Sequence, residues 1–178
     1  MDICLRRPLI VTCSNDKTIR VWNYEENILE CSHTFSEDLL SVAFHPSGFH
    51  IAVGSDKLRL MNLHIVHNNN NHQIRPFKEI GIKGCKEVRF SHGGQYFAAT
   101  VGTNNQNHHP IYVYRFYTGE DPPHLQFRTG HHGRIRCLEW SKVNFCSSST
   151  VMLIDDFSLR MMISSSPAVG MGLSINGR

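Results

Sequence analysis

Twelve histidines and six cysteines are the residues of this 178-residue chain best suited to chemistry. A thiol or imidazole becomes a catalyst only beside a base and an orienting third group. Cys31 and His33 stand two residues apart before a strand, with no third group evident. Cys13, Cys85 and Cys137 fall in or beside strand-like stretches, where small buried thiols are common. Metal ligation is the other use of histidine, and two stretches invite it: HIVHNNNNHQ, with His64, His67 and His72, and TNNQNHHP, with His108 and His109. Their asparagine runs favour low-complexity loop expansion, and no metal site is assigned. Asp155 and Asp156 are read as a solvated pair of carboxylates. Gly81-Ile82-Lys83-Gly84 is a turn, not a phosphate cradle, and neither a GxGxxG nor a P-loop is present. No catalytic residue and no cofactor are expected, so the chain is read as a binder and not an enzyme.

Composition narrows the partners. Eighteen Lys+Arg against fifteen Asp+Glu leave a net charge of +3, too small to argue for nucleic acid or a membrane surface. Arg20, Arg59, Arg89 and Arg136 fall on strands and are read as solvent-facing strand ends, not as a basic patch. No apolar run approaches the ~20 residues of a membrane span, and MDICLRRPLIV has no secretory pattern. Without such a signal, Cys4, Cys13, Cys31, Cys85, Cys137 and Cys146 are read as reduced thiols of a cytoplasmic protein.

The elements that position these residues emerge from internal repetition. LLSVAFHPSGFHIAVGSDKLRLMNL (39–63) aligns with CKEVRFSHGGQYFAATVG (85–102) resumed by IYVYRFY (111–117), and with GHHGRIRCLEWS from Gly130. Phe44, Phe90 and Trp140 hold equivalent places. LIVTCSNDKTIRVWNY (9–24) matches the back half of the same unit. Leu40/Val42/Phe44, Val88/Phe90 and Leu138/Trp140 alternate with a strand period of two. Pro46-Ser47-Gly48 and His92-Gly93-Gly94 supply turns. Second strands follow at Ile51–Val53 and Tyr96–Ala99, and third strands end on Trp22, Met61 and Tyr114. The prediction is an all-β chain of units of roughly 45 residues, the length of a β-propeller blade.

The blade signature is degenerate. Gly130-His131 fills the GH position and Trp22-Asn23 the WD position. Asp16 sits six residues before Trp22, where a turn aspartate helps to orient its blade. The WD-repeat pattern joins a histidine, a strand Ser/Thr, an aspartate and a tryptophan in one tetrad; the candidates are His131, Ser14 (or Thr12), Asp16 and Trp22. The second unit has Glu37-Asp38 in place of GH, Asp56 in its turn, and Met61-Asn62 in place of WD. The structural motif residues are therefore Ser14, Asp16, Trp22, Asn23, Asp56, Met61, Asn62, Gly130 and His131. Partner contacts are expected from the turns around Asp16 and Asp56 and from the two insertions.

The expected architecture is an incomplete WD-repeat β-propeller over 1–142, two whole blades with parts of two others, in segments of about 8–35, 36–78, 79–128 and 129–142. Leu9 begins mid-blade with no first strand expected before it. Residues 143–178 carry serine runs and no blade pattern, apart from one improvised strand at 151–154. They are read as an irregular tail, disordered or arising from a reading-frame change near Val143, in a piece of a longer protein.

SDKLRLMNL (55–63), RPFKEIGIKGCKEVRFSHGGQYFAA (75–99), GHHGRIRCLEWS (130–141) and SNDKTIRVWNYE (14–25) resemble the WD-repeat cilia- and flagella-associated proteins over about 8–140. Met61 in the tryptophan place belongs to that likeness; the Asn-rich insertion departs from it. The resemblance implies a non-catalytic scaffold of the axoneme, with further propeller blades and a coiled coil, helping to place inner dynein arms. The alternative is an adaptor of another intracellular complex, such as a ubiquitin ligase. A ring left open exposes strand edges and apolar faces. The 178-residue chain is accordingly predicted to melt broadly or to aggregate by itself; calorimetry of the isolated chain checks this, and a sharp cooperative melt of a monomer would contradict it.

Overall fold

The computed structural model describes residues 1–65, 73–102, 109–118, 123–127, 129 and 135–140 in full, and the backbone of strands at 151–154 and 161–163. The described elements are all strands, joined in sequence order as antiparallel meanders. The first sheet is β1 (Asp2–Ile3), β2 (Leu9–Cys13), β3 (Thr18–Asn23) and β4 (Ile28–Thr34). The second is β5 (Ser41–Phe44), β6 (His50–Gly54), β7 (Leu58–His64) and β8 (Gln73–Ile80). The third is β9 (Cys85–Phe90), β10 (Tyr96–Val101), β11 (Ile111–Arg115) and β12 (Leu125–Phe127), and a fourth is β13 (Cys137–Trp140), β14 (Val151–Ile154) and β15 (Met161–Ile163). This is an incomplete β-propeller of stacked blades.

The repeat alignment is realised residue for residue. Phe44, Phe90 and Trp140 each end the first strand of a sheet, paired with Ile51, Phe97 and Val151 at the start of the second. The second and third blades are buried on both faces, because the residues of each strand alternate between two cores. Val42, Phe44, Ile51, Val53, Met61 and Leu63 face the first blade, where they meet Leu9, Val11, Ile19 and Val21. Ala43, Ala52, Leu58 and Leu60 face the third blade, against Val88, Phe90, Phe97 and Tyr114. On that blade's other face, Ala98, Ile111 and Val113 pack with Leu138 and Trp140.

Three features depart from the sequence reading. The first unit does have a first strand: Asp2 pairs with Val11 and Ile3 with Ile10. Two residues are too few to show a period, yet they complete a third four-stranded sheet. Val151–Ile154 pairs along β13 as the improvised strand, and Met161–Ile163 adds to it, in a stretch given no strand. The fourth strands β4, β8 and β12 carry the outer edge, where alternation is blurred by bulges after Val21 and Leu60. In β8 the extra residue is Phe77, and Pro76 just before it has no N–H to offer outward.

Trp22 and Met61 follow the bulges of their strands, and Tyr114 holds the same place in β11. Met61 and Tyr114 are sealed against the preceding blade, at 1% and 2% exposure. Trp22 is only half-buried. The cost of on the order of 3–5 kcal/mol expected for removing a buried tryptophan therefore does not apply to it. Met61→Ala is predicted to cost about 3 kcal/mol and Trp22→Ala about half that. Urea unfolding of the two variants measures the order.

Candidate interaction surface

Among the described residues, the indole of Trp22 and the carboxylate of Asp16 serve different partners. Trp22 donates its indole N–H to Thr12 Oγ1 at 3.2 Å, the alternative to Ser14. Asp16 serves its own turn: Oδ1 accepts from the Thr18 amide at 2.9 Å and from the Thr18 hydroxyl at 2.6 Å. Those bonds hold its carboxyl below the usual carboxylate range. The Asp16 amide donates to Ser14 Oγ at 3.2 Å. Asn23, at the WD aspartate position, accepts from the amides of Glu25 and Glu26 and donates to buried Glu30 at 3.2 Å. Gly130 and His131 lie outside the described residues.

The second unit substitutes an ionic corner that sequence reasoning missed. Glu37, standing where GH would be, accepts from the Ser55 hydroxyl at 2.9 Å and from the Arg59 guanidinium. Arg59 also donates to Ser55 Oγ at 3.1 Å, pairs with Glu79 at 3.4 Å and lies over the Phe35 ring; Lys57 closes the chain onto Glu79. Arg59 holds the Glu37 carboxyl well below its ordinary range. Arg59 is thus not a solvent-facing strand end. Neither is Arg89, which meets Asp2 and Glu87, each at 3.3 Å. Asp56 is exposed in its turn and contributes its carbonyl to the Gly84 amide at 2.9 Å. Asn62 Oδ1 lies 2.8 Å from His50 Nδ1.

Burial raises the thiols, Cys85 to about 12 and Cys31 to about 11, so both are protonated and poor nucleophiles at neutral pH. Groups of three or more potential metal ligands are absent among the described residues; His67, His72 and His108 lie outside them. A cavity of about 380 Å³ opens where the first strands of the four sheets converge, lined among others by Asp2, Phe44, Arg89 and Trp140. Trp140 donates to the Arg89 carbonyl there at 3.1 Å.

Blade topology gives the stack two unlike ends. At one, the upper, lie the connections from second to third strands and from each blade to the next. Backbone bonds tie them together: Phe35 to Lys17, Leu40 to Gly54, Cys85 to Ser55 and Gly102 to Gly84, at 2.8–2.9 Å. At the other, the lower, Tyr24 bonds to Pro8, Leu63 to Phe49 and Phe116 to Gln95, at 2.7–3.0 Å. The turns of Asp16 and Asp56 belong to the upper end. The two insertions fall largely on residues 66–72 and 103–108, which lie outside the described residues.

The blades are locked together near the lower end by buried His45. Its Nδ1 accepts from the Ser47 amide at 3.1 Å, which leaves Nε2–H to donate to the Gly94 carbonyl of the next blade at 3.0 Å. Gly94 has φ of +72°, and a Cβ there would stand 2.3 Å from the imidazole; only glycine fits. The rings of His50, Phe90 and Phe116 surround His45. Burial pushes its pKa below 6.5, helped by the nearby cationic Arg6 and by His50.

The profile described as WD domain, G-beta repeat matches residues 2–23 and 29–58. The chain is 50% identical over 143 residues, 79% of its length, to Cilia- and flagella-associated protein 57 C of Tetrahymena thermophila. It is 44% identical over 142 residues to Cilia- and flagella-associated protein 57 of Mus musculus, again 79% of its length. Echinoderm microtubule-associated protein-like 2 of Mus musculus is 29% identical over 141 residues, with 79% of this chain and 20% of that relative covered. The chain spans about a tenth of the length of the cilia- and flagella-associated relatives it matches, 11% and 10% respectively.

Because burial lowers the pKa of His45 in the fold, the unfolded chain binds more protons as pH drops through 6.5, and stability falls with it. Thermal melts at about pH 7.5 and 5.5 should show this loss, and His45→Phe, less stable at the higher pH by about 1–2 kcal/mol for its lost hydrogen bonds, should show a smaller acid drop.

Proposed function

This chain belongs to the WD40-repeat proteins and is akin to the cilia- and flagella-associated ones, and from that premise we propose that it is a non-catalytic scaffold of the ciliary or flagellar axoneme. It holds other proteins against a rigid rim and supports the placement of inner dynein arms. The observation carrying this reading is the extended likeness to cilia- and flagella-associated protein 57, over 143 and 142 residues of the chain. The more distant relatives, microtubule-associated by name, point the same way. Physical chemistry supports a binding role. Blades clamped on both faces form a stiff frame for their connections, and the thiols best placed for chemistry are buried and protonated.

Tagging the protein at its own locus in a ciliated cell and extracting the membranes with detergent tests the reading. The tagged protein is expected to remain with the axoneme and to label inner-arm dynein subunits in proximity labelling. Complete release into the detergent-soluble fraction would overturn it.

A further inference from the structure

Exposed apolar side chains are distributed unevenly between the two ends. Among the described residues nine large hydrophobic side chains are exposed, and seven of them gather at the lower end. Leu5, Tyr24, Phe49 and Tyr117 lie in its connections, and Ile28 and Leu29 begin β4. Phe77 of β8 joins them through ring contacts with His50 at 6.1 Å and Phe116 at 6.4 Å, and Phe116 in turn meets Tyr117 at 5.2 Å. At the upper connections, by contrast, Leu39 and Ile82 are buried, and Phe35 lies beneath Arg59.

Charge divides in the same way. The upper end carries ion pairs, Asp16 with Arg20 and Glu37 with Arg59 and Glu79. The cations of the lower end are held by neutral oxygens. Arg7 reaches the Gly48 carbonyl at 3.5 Å and lies 5.6 Å from the centre of the Phe49 ring. Arg75 donates to the Gln73 amide oxygen at 2.9 Å, and Lys78 to the Thr118 carbonyl at 2.9 Å. Arg115 ends β11 exposed. Among the described residues, the carboxylates of the lower connections are Glu25 and Glu26, both in the first blade.

An aromatic patch ringed by cations that pair with no carboxylate among the described residues attracts a partner with apolar anchors and negative charge. We propose that the lower end, over the second and third blades, is a docking surface for an acidic peptide segment of a partner protein. The partner's apolar side chains pack on Phe49, Phe77 and Tyr117, and its carboxylates meet Arg7, Arg75, Lys78 and Arg115. This assigns the contact to the end opposite the Asp16 and Asp56 turns. It rests on the scaffold reading and adds the chemistry of what the scaffold holds.

Fluorescence anisotropy on the full chain tests it with a fluorescein-labelled, glutamate-rich peptide of about twelve residues bearing two phenylalanines. The expected result is saturable binding that weakens as salt is raised and is lost when lysines replace the glutamates. Phe77→Ser with Tyr117→Ser should weaken it about tenfold, and Arg7→Ala with Arg75→Ala about threefold. Lys83→Ser at the upper end should leave it unchanged. Glu120→Gln with Asp121→Asn, in the stretch following Tyr117, should leave it unchanged or tighten it. All substituted residues are polar or exposed, and an unchanged melting temperature shows that each variant folds. The proposal fails if the acidic peptide does not bind, if the lysine peptide binds equally, or if Lys83→Ser weakens binding as much as the aromatic pair. It also fails if vesicles of anionic phospholipid bind and the peptide does not. A chain that binds the peptide but washes out of axonemes would refute the axonemal reading alone, and the converse result would refute this one alone.

Discussion

A blade with two apolar faces cannot stand in water, and everything else in this chain follows from that. The second blade places Val42, Phe44, Ile51, Val53 and Met61 on one side and Ala43, Ala52, Leu58 and Leu60 on the other. The small side chains Ala43 and Ala52 let large ones from the next blade, Phe90 and Phe97, come close. Interdigitation of this kind fixes the spacing of the blades far more firmly than any single bond between them. It also explains why the polar signature can decay. Trp22 donates to Thr12, and the second unit replaces the pattern with Glu37, Ser55 and Arg59. Different polar devices can close the same corner because apolar packing has already brought it together.

The sequence made the first three strands of the second and third units legible, because each has a period of two and sits between turn-forming residues. Phe44, Phe90 and Trp140 were legible as equivalents because the second, third and fourth units each end their first strand on a large ring. Asp2–Ile3 was not, since a strand of two residues has no period. The outer strands were obscured by the bulges after Val21 and Leu60, which shift the alternation in mid-strand. The ionic corner was hidden for another reason. Glu37, Ser55, Arg59 and Glu79 lie on four different segments, and no local spacing announces their meeting. Arg59 and Arg89 were misplaced in solvent because Glu37 and Glu79, which hold the one, and Asp2, which meets the other, are likewise distant in the chain.

The division into two ends needed the structure. Asp16, Asp56 and the two insertions look alike in sequence, as polar stretches beside third strands. The antiparallel meander nevertheless sends His64, the last residue of β7, to the end away from the turns of Asp16 and Asp56. Ion pairing gathers at one end of the blades and exposed aromatic rings at the other, so the frame carries a direction along its axis.

The outer strand of the second blade has a bearing on crowding. Sheet edges normally invite a neighbouring chain to add a strand, and β8 presents such an edge. Pro76 interrupts its row of donors, the bulge twists it out of flatness, and Arg75, Lys78 and Glu79 stud it with charge. Copies of this protein held side by side, at whatever density their assembly imposes, would slide past one another at this edge without fusing into a shared sheet. The strand tolerates company by being unable to copy itself.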